Sequence, residues 1–334
     1  MRRVRAFMVP AVLGLILAAG SLIILFFTRA PARQGIRVTA VIKAIINDSE
    51  FWEVVKTGMR AAADDFGVAL DIQGPWAESD VDGQIQIVEE ILANNPPQAL
   101  ILAASDYVRL APLVERAAAS GIRVIALDSG VDSSRPLALV ATNNREAGEK
   151  AAARMLALWE ARGVPPENRQ AAIINHVRGA STAMEREAGV REVLYAGNGA
   201  SVAGSWFTDN FEQNAYAITV QLLSDYPHLA GILAMNEVST VGAAKALKDQ
   251  GRGGDIPLVG FDSSLTEIKF IEEGIIAATV IQKPFNMGYL AVRAARDAAE
   301  NKVLPEFIDT GSVLIDAGNL YDPQNEKLLF PFIE

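Results

Sequence analysis

The sequence predicts an α/β protein of two doubly wound parallel-sheet lobes in tandem, behind an N-terminal transmembrane or signal helix. Three observations carry that prediction. After residue 35, short apolar stretches alternate with amphipathic stretches of helical period along nearly the whole chain, the pattern of βαβ units and parallel sheets. The alternation breaks irregularly over residues 129–143 and then resumes, which divides eleven or so strands between two sheets and argues against one closed eight-fold barrel. Half of the 334 residues are hydrophobic and only 7% are aromatic, as in an Ala/Val/Ile-rich core and unlike a disordered chain.

The first strand is "IRVTAVIKA" (36–44). From Ser49 to Phe66 a helix is expected, because Phe51, Val55, Gly58, Ala62 and Phe66 share one helical stripe. "VALDIQG" and a helix over 80–94 follow, then "ALILAA" with a helix over 107–119, "VIALD" (124–128) and "LALVATN" (137–143). The second series opens with a helix over 144–160 and continues with "QAAIINH", a helix over 181–195, "SVAGSWFT" and a helix over 211–225. It runs on through "GILAMN", a helix over 237–250, "PLVGFD", a helix over 264–273 and "IAATVIQ" (276–282). A helix over 284–300 and one extended stretch, "FIDTGSVLID", finish the chain.

Residues 6–27 hold no charged side chain and follow "MRRVR", with three arginines. That length exceeds the ~20 residues needed to span a bilayer as a helix, and the arginines should stay cytoplasmic. A signal peptide has a shorter apolar region, and "APA" (30–32) is a poor cleavage site beside Arg29 and around Pro31. An uncleaved anchor in the cytoplasmic membrane is expected, with everything after Thr28 in the cell envelope, outside the cytoplasm.

The formal charge is −10. Residues 1–33 carry five arginines and no acid, so the remainder has 25 basic against 40 acidic side chains, −15. Such a domain repels nucleic-acid phosphates, and no nucleic-acid partner is expected. The chain has no cysteine and two histidines, His176 and His228, too few for a conventional zinc site or catalytic triad; both histidines read as structural or solvated. No phosphate loop or nucleophile elbow occurs. No enzyme activity, cofactor or metal is expected, although Asp128 and Asp262 as a carboxylate pair would permit acid–base chemistry.

In open α/β sheets ligands bind beyond the carboxyl ends of the strands. Those ends here include Lys43, Ser105–Asp106, Asp128–Ser129, Asn236–Glu237, Asp262–Ser263 and Gln282. Each position alone also suits a helix N-cap; as a set from two lobes they suggest a polar cleft.

The chain from about residue 36 to 316 resembles the type I periplasmic sugar-binding proteins, closest in pattern to the ribose-binding group. The likeness rests on "DSEFWEVVKTGMRAAADDFGV", "VIALDSG", "GASTAMEREAGV", "LLSDYPHLAGILAMNEVSTVGAAKAL" and "IPLVGFDSSLTEIKFIEEGIIAATVIQKP". It implies lobes joined by a multi-strand hinge. Residues 36–142 with 283–311 would form the N-terminal lobe, and 143–282 with 312–334 the C-terminal lobe, after a segment and linker over 1–35. It also implies that Phe51 and Trp52 pack on a sugar ring, Trp52 being the better candidate since Phe51 fits the buried stripe. Asp128, Asn236, Asp262 and Gln282 would hydrogen-bond the sugar, and Arg186 would donate to its oxygens. The first loop is longer than in the family, so Asn47, Asp48 or Ser49 takes the usual asparagine role. Asn210 or Phe211 stands where an aromatic is usual, and Ser129 where ribose binders often have arginine; ribose itself is not the expected ligand. Lys43 either snorkels to solvent or meets an anionic ligand group, and Asp106 is a further possible contact. The implied protein is a monomer that captures a sugar or polyol by hinge closure and delivers it to an ABC permease. The alternative partner is a membrane sensor kinase.

Overall fold

The first sheet is built from β1 (Arg37–Val41), β2 (Ala69–Gln73), β3 (Ala99–Leu102), β4 (Arg123–Leu127), β5 (Ala138–Ala141) and the late β11 (Phe307–Asp309). Its helices are α1 (Glu50–Phe66), α2 (Val81–Asn94) and α3 (Ala111–Ala119). The second sheet uses β6 (Gln170–Asn175), β7 (Ser201–Phe207), β8 (Gly231–Ala234), β9 (Leu258–Phe261), β10 (Ala278–Ile281) and β12 (Val313–Ile315). The remaining helices are α4 (Asn144–Ala161), α5 (Ser181–Ala196), α6 (Glu212–Asp225), α7 (Glu237–Asp249), α8 (Leu265–Glu272), α9 (Pro284–Ala299) and α10 (Pro323–Leu329). This is a computed structural model, and it describes residues 35–45, 50–196 and 199–329. The apolar stretch 6–27 lies outside the described residues, within which no helix is long and apolar enough to cross a membrane.

The two sheets repeat one order, β2-β1-β3-β4-β5-β11 and β7-β6-β8-β9-β10-β12. Every pairing is parallel except that of β10 with β12. Parallel strands covered on both faces must be apolar throughout, and β3, β8, β9 and β10 are buried at every residue. Arg37 to Glu334 forms one compact unit. Within it the chain passes from one sheet to the other after β5, after β10 and between β11 and β12. The first and last of these passes lie side by side: the Thr310 amide donates to the Ala141 carbonyl at 3.0 Å, and the Asn143 amide donates to Asp309 Oδ1 at 3.1 Å.

The element order follows the sequence reading, with four differences. The helix expected over 107–119 begins at Ala111. Ahead of it, Asp106 Oδ1 accepts from the amides of Val108 (2.9 Å) and Arg109 (2.8 Å), holding a turn, and Pro112 suits a helix start. The stretch 307–316 is two strands in different sheets, because the chain crosses at Gly311, whose φ of 74° needs glycine. Helix α10 had no counterpart in the sequence reading. In α1 the buried face carries Trp52 and Met59, while Phe51 and Phe66 are half-buried, so the predicted stripe is rotated by about one residue.

Candidate functional site

Five candidate residues sit where strands run out. Lys43 follows β1, Asp128 follows β4, Asn236 lies two residues past β8, Asp262 follows β9 and Gln282 follows β10. Asp128 (φ 59°) and Asp262 (φ 72°) both adopt the left-handed conformation, which short polar side chains tolerate better than others. Each strand therefore ends in a sharp turn at its own carboxylate, once in each sheet. Asn236 Oδ1 caps α7 by accepting from the Ser239 amide at 3.1 Å, so here capping and site-building are one arrangement.

These residues converge on one polar cavity, lined by strand ends of both sheets and by Phe51 and Trp52 from α1. Lys43 Nζ lies 2.7 Å from Asp128 Oδ2, and both side chains are buried. From the other sheet, Gln282 Nε2 donates to Asp262 Oδ1 at 2.6 Å and the Glu237 amide donates to Oδ2 at 3.2 Å. Arg186 is held by Asn144 Oδ1 (Nε donating, 2.9 Å) and the Met235 carbonyl (Nη1 donating, 2.6 Å), with its guanidinium 4.6 Å from the Phe261 ring centroid. That fixes a planar donor fork at the cavity wall. Asn236 Nδ2 donates to Asn210 Oδ1 at 2.7 Å.

Burial controls the charges. It pushes the Asp262 carboxyl up from its ordinary value, against the pull of the Arg186 guanidinium. It also raises Glu78, opposed by Lys43. His176 is pushed well below its usual range by burial first, then by the cations Lys43 and Arg186, which keeps the imidazole neutral at pH 7. Its Nε2 meets Thr182 Oγ1 at 3.0 Å. His176 Nδ1 and Gln282 Oε1 have no protein partner among the described residues. Three carboxylates against two cations make a lining richer in acceptors than in cationic donors, chemistry that suits ligand hydroxyls. Among the described residues no cluster of His, Cys, Asp and Glu could hold a metal ion.

Of the residues named from sequence, Lys43, Phe51, Trp52, Asp128, Arg186, Asn210, Asn236, Asp262 and Gln282 all line this cavity. Asp48 lies outside the described residues. Ser129 is buried behind the wall, donating to Asp128 Oδ2 at 3.0 Å. Asp106 does not line the cavity; its carboxylate is engaged in the turn before α3. Lys43 does not snorkel: it is 3% exposed and ion-paired. Trp52 is the more deeply buried of the aromatic pair, at 2%, and its indole donates to Glu78 Oε1 at 2.6 Å. The edge-to-face contact with Phe51, rings 5.2 Å apart, makes Trp52 the support for the half-buried Phe51 ring. Two lining residues, Glu78 and Thr182, escaped the sequence reading, and His176, read there as structural or solvated, lines the cavity too. His176 directly follows β6, so extending the strand-end criterion to that strand finds it; Glu78, well into the loop after β2, and Thr182 do not sit at strand ends.

Comparison with known proteins gives a consistent result. The model of the periplasmic binding protein domain matches residues 40–302. The D-allose-binding periplasmic protein of Escherichia coli (strain K12) is 27% identical over 288 residues, covering 82% of this chain and 90% of that protein. The ribose import binding protein of Bacillus subtilis (strain 168) is 27% identical over 261 residues, 78% of this chain and 81% of its own length. A carbohydrate transporter solute-binding protein from Agrobacterium radiobacter, solved in complex with D-arabinose, superposes with a TM-score of 0.84 at 27% identity, over 89% of this chain and all of that one. Since the family match runs from within β1 to just past α9, through both sheets and two of the three crossings, the chain belongs to the periplasmic binding protein family.

Proposed function

We propose that the protein captures a neutral sugar or related polyol in the cavity between its two sheets and delivers it to an ABC permease. The observation that carries the reading is the convergence of Asp128, Arg186, Asn236, Asp262 and Gln282, from five separate segments, on one buried polar cavity beside the Phe51 ring. A pyranose or furanose offers hydroxyls to the carboxylates and an apolar C–H face to the ring. Lys43 spends its charge on Asp128, so an anionic ligand group is not needed to satisfy it. Relatives named for D-allose and ribose, and neighbours solved with D-arabinose and D-fucose, support the same ligand class. The ligand-contacting lobes are 36–142 with 283–311 and 143–282 with 312–334. Residues 6–27 tether a monomer to the outer face of the cytoplasmic membrane, which raises its effective concentration near the permease.

The test is a thermal-shift panel of neutral pentoses and hexoses, polyols, sugar phosphates and sugar acids on the full chain in mild detergent. A ligand at 100 times its Kd adds ~2.7 kcal/mol if it binds only the folded state. A neutral sugar is expected to stabilise the wild type, and Asp262→Asn, which tolerates the left-handed turn, is expected to lose that shift while remaining folded. Stabilisation only by anionic compounds, or an undiminished shift in the variant, overturns the reading.

A further inference from the structure

A second, larger cavity adjoins the first. Its volume is about 390 Å3, and it shares Glu78 and Asn210 with the inner cavity. It is not a product of separated lobes. Contacts already bridge the two sheets' elements: the Glu50 amide donates to Glu237 Oε1 at 3.2 Å, the Tyr107 amide to the Gly179 carbonyl at 2.9 Å, and Lys43 to Thr182 Oγ1 at 3.5 Å. The outer cavity is therefore present with the two lobes already in contact, and a ligand filling only the inner space leaves it unused.

Its walls have the chemistry of a second sugar subsite. Trp76, in the loop after β2, is 72% exposed, and Phe211, which precedes α6, is 47% exposed. Large aromatic faces left in water at a cavity wall mark a binding surface, and here one comes from each sheet's side. Glu50, Glu237 and Thr266 line the same cavity, as does Glu212, which is held by Lys245 at 2.6 Å. Flat rings with carboxylate acceptors suit the C–H faces and hydroxyls of a sugar, while the acidic lining repels a phosphate or uronate.

We infer that the ligand has two units: a sugar ring in the inner cavity and a second, neutral sugar unit in the outer cavity, packed by Trp76 and Phe211. This rests on the sugar-binding reading above and extends it to a disaccharide or glycoside. The experiment is isothermal titration of the full chain with a panel of neutral monosaccharides, their methyl glycosides and neutral disaccharides, repeated on Trp76→Ala/Phe211→Ala. Both side chains are largely outside the core, so the variant is expected to melt as the wild type does. A disaccharide is expected to bind the wild type at least about tenfold more tightly than its monosaccharide, with that advantage lost in the variant and monosaccharide affinity unchanged. Monosaccharide binding with no gain from a second unit, or a gain that survives the double substitution, overturns the inference and leaves the sugar-binding reading standing. Binding of no sugar at all overturns both.

Discussion

Glu267 shows what charge costs at single-residue scale. It is fully buried on α8, Oε2 accepts from Ser264 at 3.1 Å and Oε1 has no protein partner among the described residues. Burial, then Glu237 and Asp262, pushes its carboxyl well above the ordinary range. A folded-state pKa above the unfolded one means stability is fully present below the unfolded value and is lost as pH rises through the folded one. Glu267→Gln is therefore expected to raise the melting temperature at pH 7 and to flatten its rise on acidification from pH 7 toward 5. An unchanged pH profile would show that the charge is not the cost. None of this was legible in sequence, where Glu267 is one acid in a surface-like helix. Asp128 and Asp262 were legible, because an apolar strand running into Asp-Ser is a local signal.

At the scale of elements, helix pairs in backbone contact occur in both lobes. A Cβ on Gly148 of α4 would strike the carbonyl oxygen of Arg186 on α5, and one on Gly58 of α1 would strike that of Phe285 on α9. The first contact bears on the site, because α5 carries the guanidinium that reaches Asn144 and Met235. Gly148→Ala is expected to cost roughly 1–3 kcal/mol by overpacking and to weaken sugar binding by shifting Arg186. Calorimetry that finds lower stability with full affinity would dissociate the two. Periodicity located these helices, yet it gave the buried place to Phe51 and the sugar-facing one to Trp52, whereas Trp52 is the buried ring and Phe51 the half-buried one. Adjacent residues on a helix differ by about 100°, and only the packing of α1 against α9 and the first sheet sets its rotation.

For the whole molecule, Lys43 is expected to bias the lobes toward the closed arrangement. Asp262 is raised mainly by burial, and the Asp128 carboxylate of the opposite sheet adds to that across the cavity. Lys43 offsets this by pairing with Asp128 and reaching Thr182 from the other sheet. Removing one partner of a buried ion pair costs about 3–5 kcal/mol. Lys43→Met is expected to destabilise the ligand-free protein by that order and to enlarge its radius of gyration in small-angle scattering, with added sugar reversing the expansion. Unchanged scattering would mean closure does not depend on this pair.

What the sequence alone determined is the alternation of strands and helices, the division into two sheets and the polar strand ends, because hydrophobic period and turn chemistry are written within a few neighbouring residues. The tertiary structure decided what depends on distant segments meeting. It gave Lys43 an ion pair where solvent was one expectation, brought Glu78, His176 and Thr182 to the cavity, split residues 307–316 between two sheets, and left a second cavity beside the first. The physical reason is that burial and charge pairing are properties of a place, and here that place is assembled from strand ends that approach one another only after both sheets have formed.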